Sequence, residues 1–183
     1  QEQGNLTSQA TLLNNLGVMY RMRGEYERAV KSFEKGLDCA RRSGYTRSQA
    51  LILASMGDLY TDVGDLEAAG VVHQQAYEIA IQTADFFLTN YARLSLAAVA
   101  RLQGDPDQAR LLLQDAGTSL QDASSHSEVG MHALEMGRLQ LESNRPGQAV
   151  SSLRKSLEHF LKGGMRVEAA WARLCLIAAL IKT

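Results

Sequence analysis

Proline is nearly absent from this chain: Pro106 and Pro146 are the only two in 183 residues. Alternating β-branched runs are almost absent too, so strands are not expected and long uninterrupted helices are. Cysteine is as scarce. Cys39 and Cys175 stand far apart and form neither a C-x-x-C pair nor a disulfide framework, which excludes a stapled scaffold and reads as two buried thiols in a reducing, cytoplasmic compartment. Charge of one sign is not in excess. With 19 basic and 20 acidic residues, the chain has no overall attraction to nucleic-acid backbones or anionic lipids, and no direct nucleic-acid partner is expected. The longest apolar run, Leu174 to Ile181, falls far short of the ~20 residues that span a bilayer. No membrane segment is expected, and no basic-then-apolar leader opens the sequence. Its first residue is Gln1 rather than methionine, which suggests an excised or processed fragment.

Catalytic constellations are missing as well. His73, His126, His132 and His159 show no metal-ligand spacing along the chain, and the glycines of "RMRGEYE" and "RLQGDPDQ" follow helical rather than strand-like segments without the Lys-Ser/Thr of a phosphate loop. Hence no enzyme, cofactor or metal is expected. The reading is a binding protein.

What is present is a repeat. Shifted by 40 residues, "LGVMYRMRGEYERAVKSF" realigns with "MGDLYTDVGDLEAAGVVH", then with "LAAVARLQGDPDQARLLL" and "MGRLQLESNRPGQAVSSL", without an insertion. One column reads Gly17, Gly57, Ala97, Gly137, a second Gly24, Gly64, Gly104, Asn144, and a third only alanine: Ala29, Ala69, Ala109, Ala149. Small residues at fixed positions let two helix backbones approach, so Gly17 and Ala29 are read as a packing pair. The second column falls between amphipathic stretches, where a residue tolerant of positive φ ends a helix and asparagine is the next choice after glycine. Pro106 and Pro146 follow two residues later and suit a helix's first turn.

These signals predict first helices near 8–23, 46–63, 86–103, 126–143 and 166–182, and second helices near 26–43, 66–83, 106–123 and 146–163. The fold class is all-α: one domain, 1–183, of four helical hairpins at about 8–45, 46–85, 86–125 and 126–165, plus an unpaired C-terminal helix. "L-G-x-x-Y" at Leu16, Gly17 and Tyr20, followed by "A-x-x-x-F" at Ala29 and Phe33, resembles the tetratricopeptide repeat. The period of 40 rather than 34 is similar to that of Leu-Gly-Asn scaffold proteins, kinesin light chains and the helical regions of bacterial signalling regulators. HEAT and armadillo repeats share the length but lack this glycine and alanine grammar. The resemblance implies a right-handed solenoid whose first helices line a concave groove that binds a protein, peptide or helix.

By the family's groove positions, the candidate binding residues are Asn14, Val18 and Arg21 in the first repeat, Asp58 in the second, Leu94 and Arg101 in the third, and Leu134 and Arg138 in the fourth, with Tyr91, Met131 and Trp171 along the wall. Asn15 heads a column that continues as Ser55, Ser95 and Glu135, so an asparagine ladder for a peptide backbone does not extend beyond the first repeat. Eight basic residues lie between Arg21 and Arg47 and none between Ser48 and Ala92. Either the two repeats pair their charges, or Asp58 and Asp62, four apart on one helix, form an acidic spot for a basic partner side chain. His73 stands in the column of Phe33, Leu113 and Leu153 and is expected as a packing residue. "A-R-x-x-G" at Ala40, Arg41 and Gly44 is similar to helical regions of bacterial transcription regulators of the maltose-activator type. That likeness implies a module of a cytoplasmic signalling or transcription regulator; the rivals are a small-molecule effector sensor and self-association. A homodimer would use Leu176, Ile177 and Leu180 of the last helix, expected to face outward.

Overall fold

The computed structural model describes residues 2–120 and 125–183, and these form nine α-helices with no strand among them. In chain order they are α1 (Glu2–Met22), α2 (Tyr26–Ser43), α3 (Thr46–Val63), α4 (Leu66–Gln82), α5 (Phe86–Leu102), α6 (Pro106–Ser119), α7 (His126–Glu142), α8 (Pro146–Lys162) and α9 (Arg166–Ile181). The helix bounds expected from the repeat agree with these to within one residue, with two departures. α1 starts at Glu2 rather than near residue 8, and α6 stops at Ser119, short of the expected 123; residues 121–124 lie outside the described residues.

The helix ends have the chemistry that the glycine column requires. Gly24, Gly64 and Gly104 have φ of 73°, 82° and 81°, and Asn144 takes the same left-handed conformation at 54°. A second such column, 20 residues further on, contains Gly44 at 70°, Ala84 at 52° and Gly164 at 72°. Asp65, Asp85 and Asp105 open the following helices by accepting backbone N–H bonds from Ala68, Leu88 and Gln108 at 3.1, 3.0 and 2.9 Å. Pro106 and Pro146 occupy first-turn positions, where a missing N–H costs nothing.

The chain divides into two compact units, residues 1–95 and 96–183, with the boundary inside α5. In the first, α1 packs on α2, α3 on α4, and α2 on α3, around a core containing Phe33, Leu37, Ile52, Leu53 and Leu59. In the second, α7 packs on α8 and α8 on α9, around Leu153, Phe160, Ala169, Ala172 and Ala179. Burying each large apolar side chain contributes about 1.5–3 kcal/mol.

The partner expected for Gly17 is corrected by the structure. A Cβ at Gly17 would lie 2.5 Å from the Phe33 ring, not against Ala29, although Ala29, Ala69, Ala109 and Ala149 are all fully buried. Phe33 follows Ala29 by one turn and lays its ring on the bare backbone of α1. The same contact recurs between Gly57 and His73 and between Gly137 and Leu153, each at 2.5 Å. A related pair occurs once: Gly130 leaves room for Phe160, at 2.6 Å, where the earlier repeats carry Ala40, Ala80 and Leu120 in the phenylalanine's column.

Two outcomes test this. Gly57→Leu would drive a side chain into the His73 ring, and the urea midpoint is expected to fall by the equivalent of about 1–3 kcal/mol. Ala84→Gly relieves a left-handed residue that carries a Cβ and is expected to stabilise the chain by up to about 1 kcal/mol in the same measurement.

Candidate functional site

Within residues 1–95, one face brings together polar groups from three first helices. Arg21 of α1 reaches Asp58 of α3 at 2.7 Å and Asp62, one turn on, at 3.4 Å. Tyr91 of α5 donates its hydroxyl to the same Asp58 oxygen at 2.7 Å. Burial and the facing Asp58 carboxylate push the Tyr91 phenol well above its ordinary pKa, so it remains a donor. Phe87, stacked on Tyr91 with centroids 6.3 Å apart, extends the face with an exposed ring. Asp58 is therefore neutralised from inside rather than displayed as a free acidic spot. The neighbouring charge blocks pair as well, Arg47 with Asp85 at 2.7 Å. Val18 is half-buried against the core of this unit and Asn15 is exposed, while Asn14 is buried with its side-chain oxygen unpartnered.

Within residues 96–183, a cavity of about 560 Å³ opens between the end of α5, α7 and α9, lined by Arg101, Arg138, Leu141, Trp171, Leu174 and Cys175 among others. Its floor is an ion network. Arg101 donates to Glu135 at 3.1 Å and to Glu142 at 2.6 Å, and Arg138 donates to the other Glu135 oxygen at 2.8 Å. Arg21 and Arg101 occupy the same repeat column, as do Asp62 and Glu142, so one ion pair between successive repeats occurs twice. The indole of Trp171, 54% exposed, forms a wall of this cavity. Of the residues expected to face a partner, Leu94, Leu134 and Arg101 are at least nine-tenths buried, and Leu134 and half-buried Met131 belong to the core around Leu153. Leu134 and Met131 thus pack inside the second unit rather than face a partner. Sequence reading missed Phe87, Leu174, Cys175 and Glu142; the last was findable, being the column equivalent of Asp62.

His73 is 1% exposed and lies on Gly57. Its Nε2 stands 3.9 Å from Asp58, too far for a hydrogen bond, and its Nδ1 has no partner. Burial lowers its pKa, Asp58 opposes the shift, and Arg21 adds to it. The unfolded chain therefore binds a proton that the folded chain refuses, and stability falls as pH drops below the unfolded value of about 6.5. His73→Leu, the residue of the third and fourth repeats, is expected to weaken that acid dependence and to raise the urea midpoint more at pH 5.5 than at pH 7.5. An equal gain at both values would contradict the role given to His73.

Among the described residues, no three histidines, cysteines or carboxylates group as a metal site, and no helix is long and apolar enough to cross a membrane. Family models described as tetratricopeptide repeat match residues 8–82 and 90–115. No curated protein matches. Among solved structures, the crystal structure of BtubC (BKLC) from P. vanneervenii is similar at TM-score 0.54 and 13% identity, covering 97% of this chain and 90% of that one; the likeness is one of fold. The fourth hairpin keeps the same 40-residue register, with Gly137, Asn144 and Ala149 in their columns. Two-helix units, bulky side chains seated on bare backbone and left-handed helix ends thus agree with the family models: this chain carries tetratricopeptide repeats.

Proposed function

We propose that the chain is a non-catalytic interaction module that holds a peptide or helix of a partner protein against α7 and α9. Repeats of this family generally mediate protein–protein interaction. The observation that carries the reading is the cavity beside Trp171. Its volume, about 560 Å³, is in the range that encloses a small ligand or a few side chains, ~300–1,000 Å³. A half-exposed tryptophan lining the cavity with Leu174 and Arg138 offers a flat apolar anchor, the residue type enriched where binding energy concentrates. The face around Asp58 is the weaker candidate, because a basic partner side chain would have to compete with Arg21 for the same carboxylate. A wider setting in a cytoplasmic signalling or transcription regulator is supported only by the likeness of "A-R-x-x-G".

Self-association is the second reading, and α9 supports it. Val167, Ile177, Leu180 and Ile181 are all at least half exposed. Leu176, expected to face outward with them, instead packs half-buried on the core of its own unit. Ile177 stands in the column of Gly17, Gly57 and Gly137. A helix carrying a bulky side chain could not settle over it as α8 settles over Gly137.

Trp171 is the only tryptophan, so its emission reports directly on the cavity. Titration with a peptide library is expected to shift that emission for apolar-anchored peptides. For a peptide so selected, Trp171→Ala is expected to cost about 2 kcal/mol, near thirtyfold in Kd by calorimetry, with helicity unchanged. Metabolites giving the response where peptides fail would favour the effector sensor. Undiminished peptide binding by Trp171→Ala would overturn the site.

A further inference from the structure

The end of the α7–α8 hairpin opposite its turn carries two histidines, His126 at the first position of α7 and His159 in the last turn of α8. They are 33 residues apart in sequence, but the hairpin brings their Nδ1 atoms to 3.2 Å, with ring centroids 5.2 Å apart and planes at 61°. We propose that this pair is a two-histidine site for a borderline transition ion of the Zn²⁺, Ni²⁺ or Cu²⁺ class.

The distance is the first argument. Two imidazole nitrogens bound at 2.0–2.1 Å to one tetrahedral ion lie about 3.3 Å apart, with ring centroids about 5 Å apart. The pair stands close to that bite without moving a side chain. The second argument is chemical: neutral imidazole suits zinc, nickel and copper, whereas calcium and magnesium demand oxygen ligands. The third is mechanical, because each ligand sits on a helix fixed by the core, His159 next to buried Phe160 and His126 four residues before Gly130, the residue on which Phe160 rests. The bite is thus held by the same contact that closes the hairpin. No third ligand group stands within reach among the described residues, so water completes the coordination. The surroundings keep the affinity modest. Lys155 and Lys162 oppose a cation near His159 and Glu158 favours one, with Glu158 itself held by Lys162 at 2.7 Å. The positive end of α7 acts against the ion and the negative end of α8 acts for it. The result is a two-ligand site that staples the open end of the hairpin when occupied.

The experiment uses the 183-residue chain without a histidine tag. Ni²⁺ and Zn²⁺ are expected to raise the thermal unfolding midpoint by several degrees through preferential binding to the folded state, and Mg²⁺ to leave it unchanged. Ni²⁺ is expected to bind one to one by calorimetry, and Cu²⁺ to show nitrogen superhyperfine splitting from two imidazoles. His126→Asn and His159→Asn, both at exposed or half-exposed positions, should each abolish the metal-dependent shift, while His132→Asn keeps it. No shift in the unmodified chain, or a shift that survives either of the first two substitutions, overturns the site and leaves an ordinary imidazole–imidazole hydrogen bond.

Discussion

A side chain resting where its neighbour has no Cβ is the contact on which this architecture depends. Phe33 over Gly17, His73 over Gly57, Leu153 over Gly137 and Phe160 over Gly130 all use it, at separations no Cβ could share. Because the contact joins the two helices of one hairpin, it fixes their spacing and the phase of each along its axis. An added or lost residue between glycine and ring would rotate the ring off the gap by about 100°. The constant spacing of 16 residues from Gly17 to Phe33, Gly57 to His73 and Gly137 to Leu153 follows from that intolerance, and so do the left-handed helix ends between them, which must reverse the chain in the same number of residues each time.

Charge is organised by the same register. An arginine at the end of one first helix meets a carboxylate at the end of the next, as Arg21 with Asp62 and again as Arg101 with Glu142. Each arginine also meets an acid nearer the middle of that next helix, Asp58 or Glu135. Partly buried pairs of this kind add little net stability, since desolvation offsets most of the attraction. Removing one partner is costly, however, so they penalise any slip of one hairpin against the next. Of the basic block up to Arg47, Arg21 pairs across the repeats and Arg47 with Asp85, whereas Arg23, Arg28 and Arg42 find Glu25 and Asp38 within their own hairpin.

Most of this fold was legible in the sequence because helix ends and small-residue columns are local signals. Gly24, Gly64, Gly104 and Asn144 announced φ > 0, and all four have it. What remained hidden depended on direction in space. Gly17 and Ala29 pair by size and recurrence alone, but close approach needs a gap and something to fill it, and Phe33 one turn beyond Ala29 is the filler. Leu94 and Leu134 fall on the groove side by count and are buried by their neighbours. Ala84, at φ 52°, was unreadable alone and obvious in its column, between Gly44 and Gly164. His126 and His159 show no ligand spacing along the chain, since the hairpin, not the sequence interval, sets their separation.

The two units therefore offer different surfaces from one repeat grammar. In the first, the central carboxylate of the face accepts from Tyr91 and pairs with Arg21, so the side chains that could recognise a partner are engaged with one another. In the second, Arg138 takes the place of Asp58 in the repeat column, and its acid, Glu135, sits three residues earlier on the same helix. Moving the acid back one turn draws the ion network to the floor and leaves the space above it to Leu141, Trp171 and Leu174. A register that fixes backbone spacing so tightly leaves only such column-by-column exchanges to vary, and three of them, Asp58 to Arg138, Ser55 to Glu135 and Tyr91 to Trp171, separate a closed polar face from an open cavity.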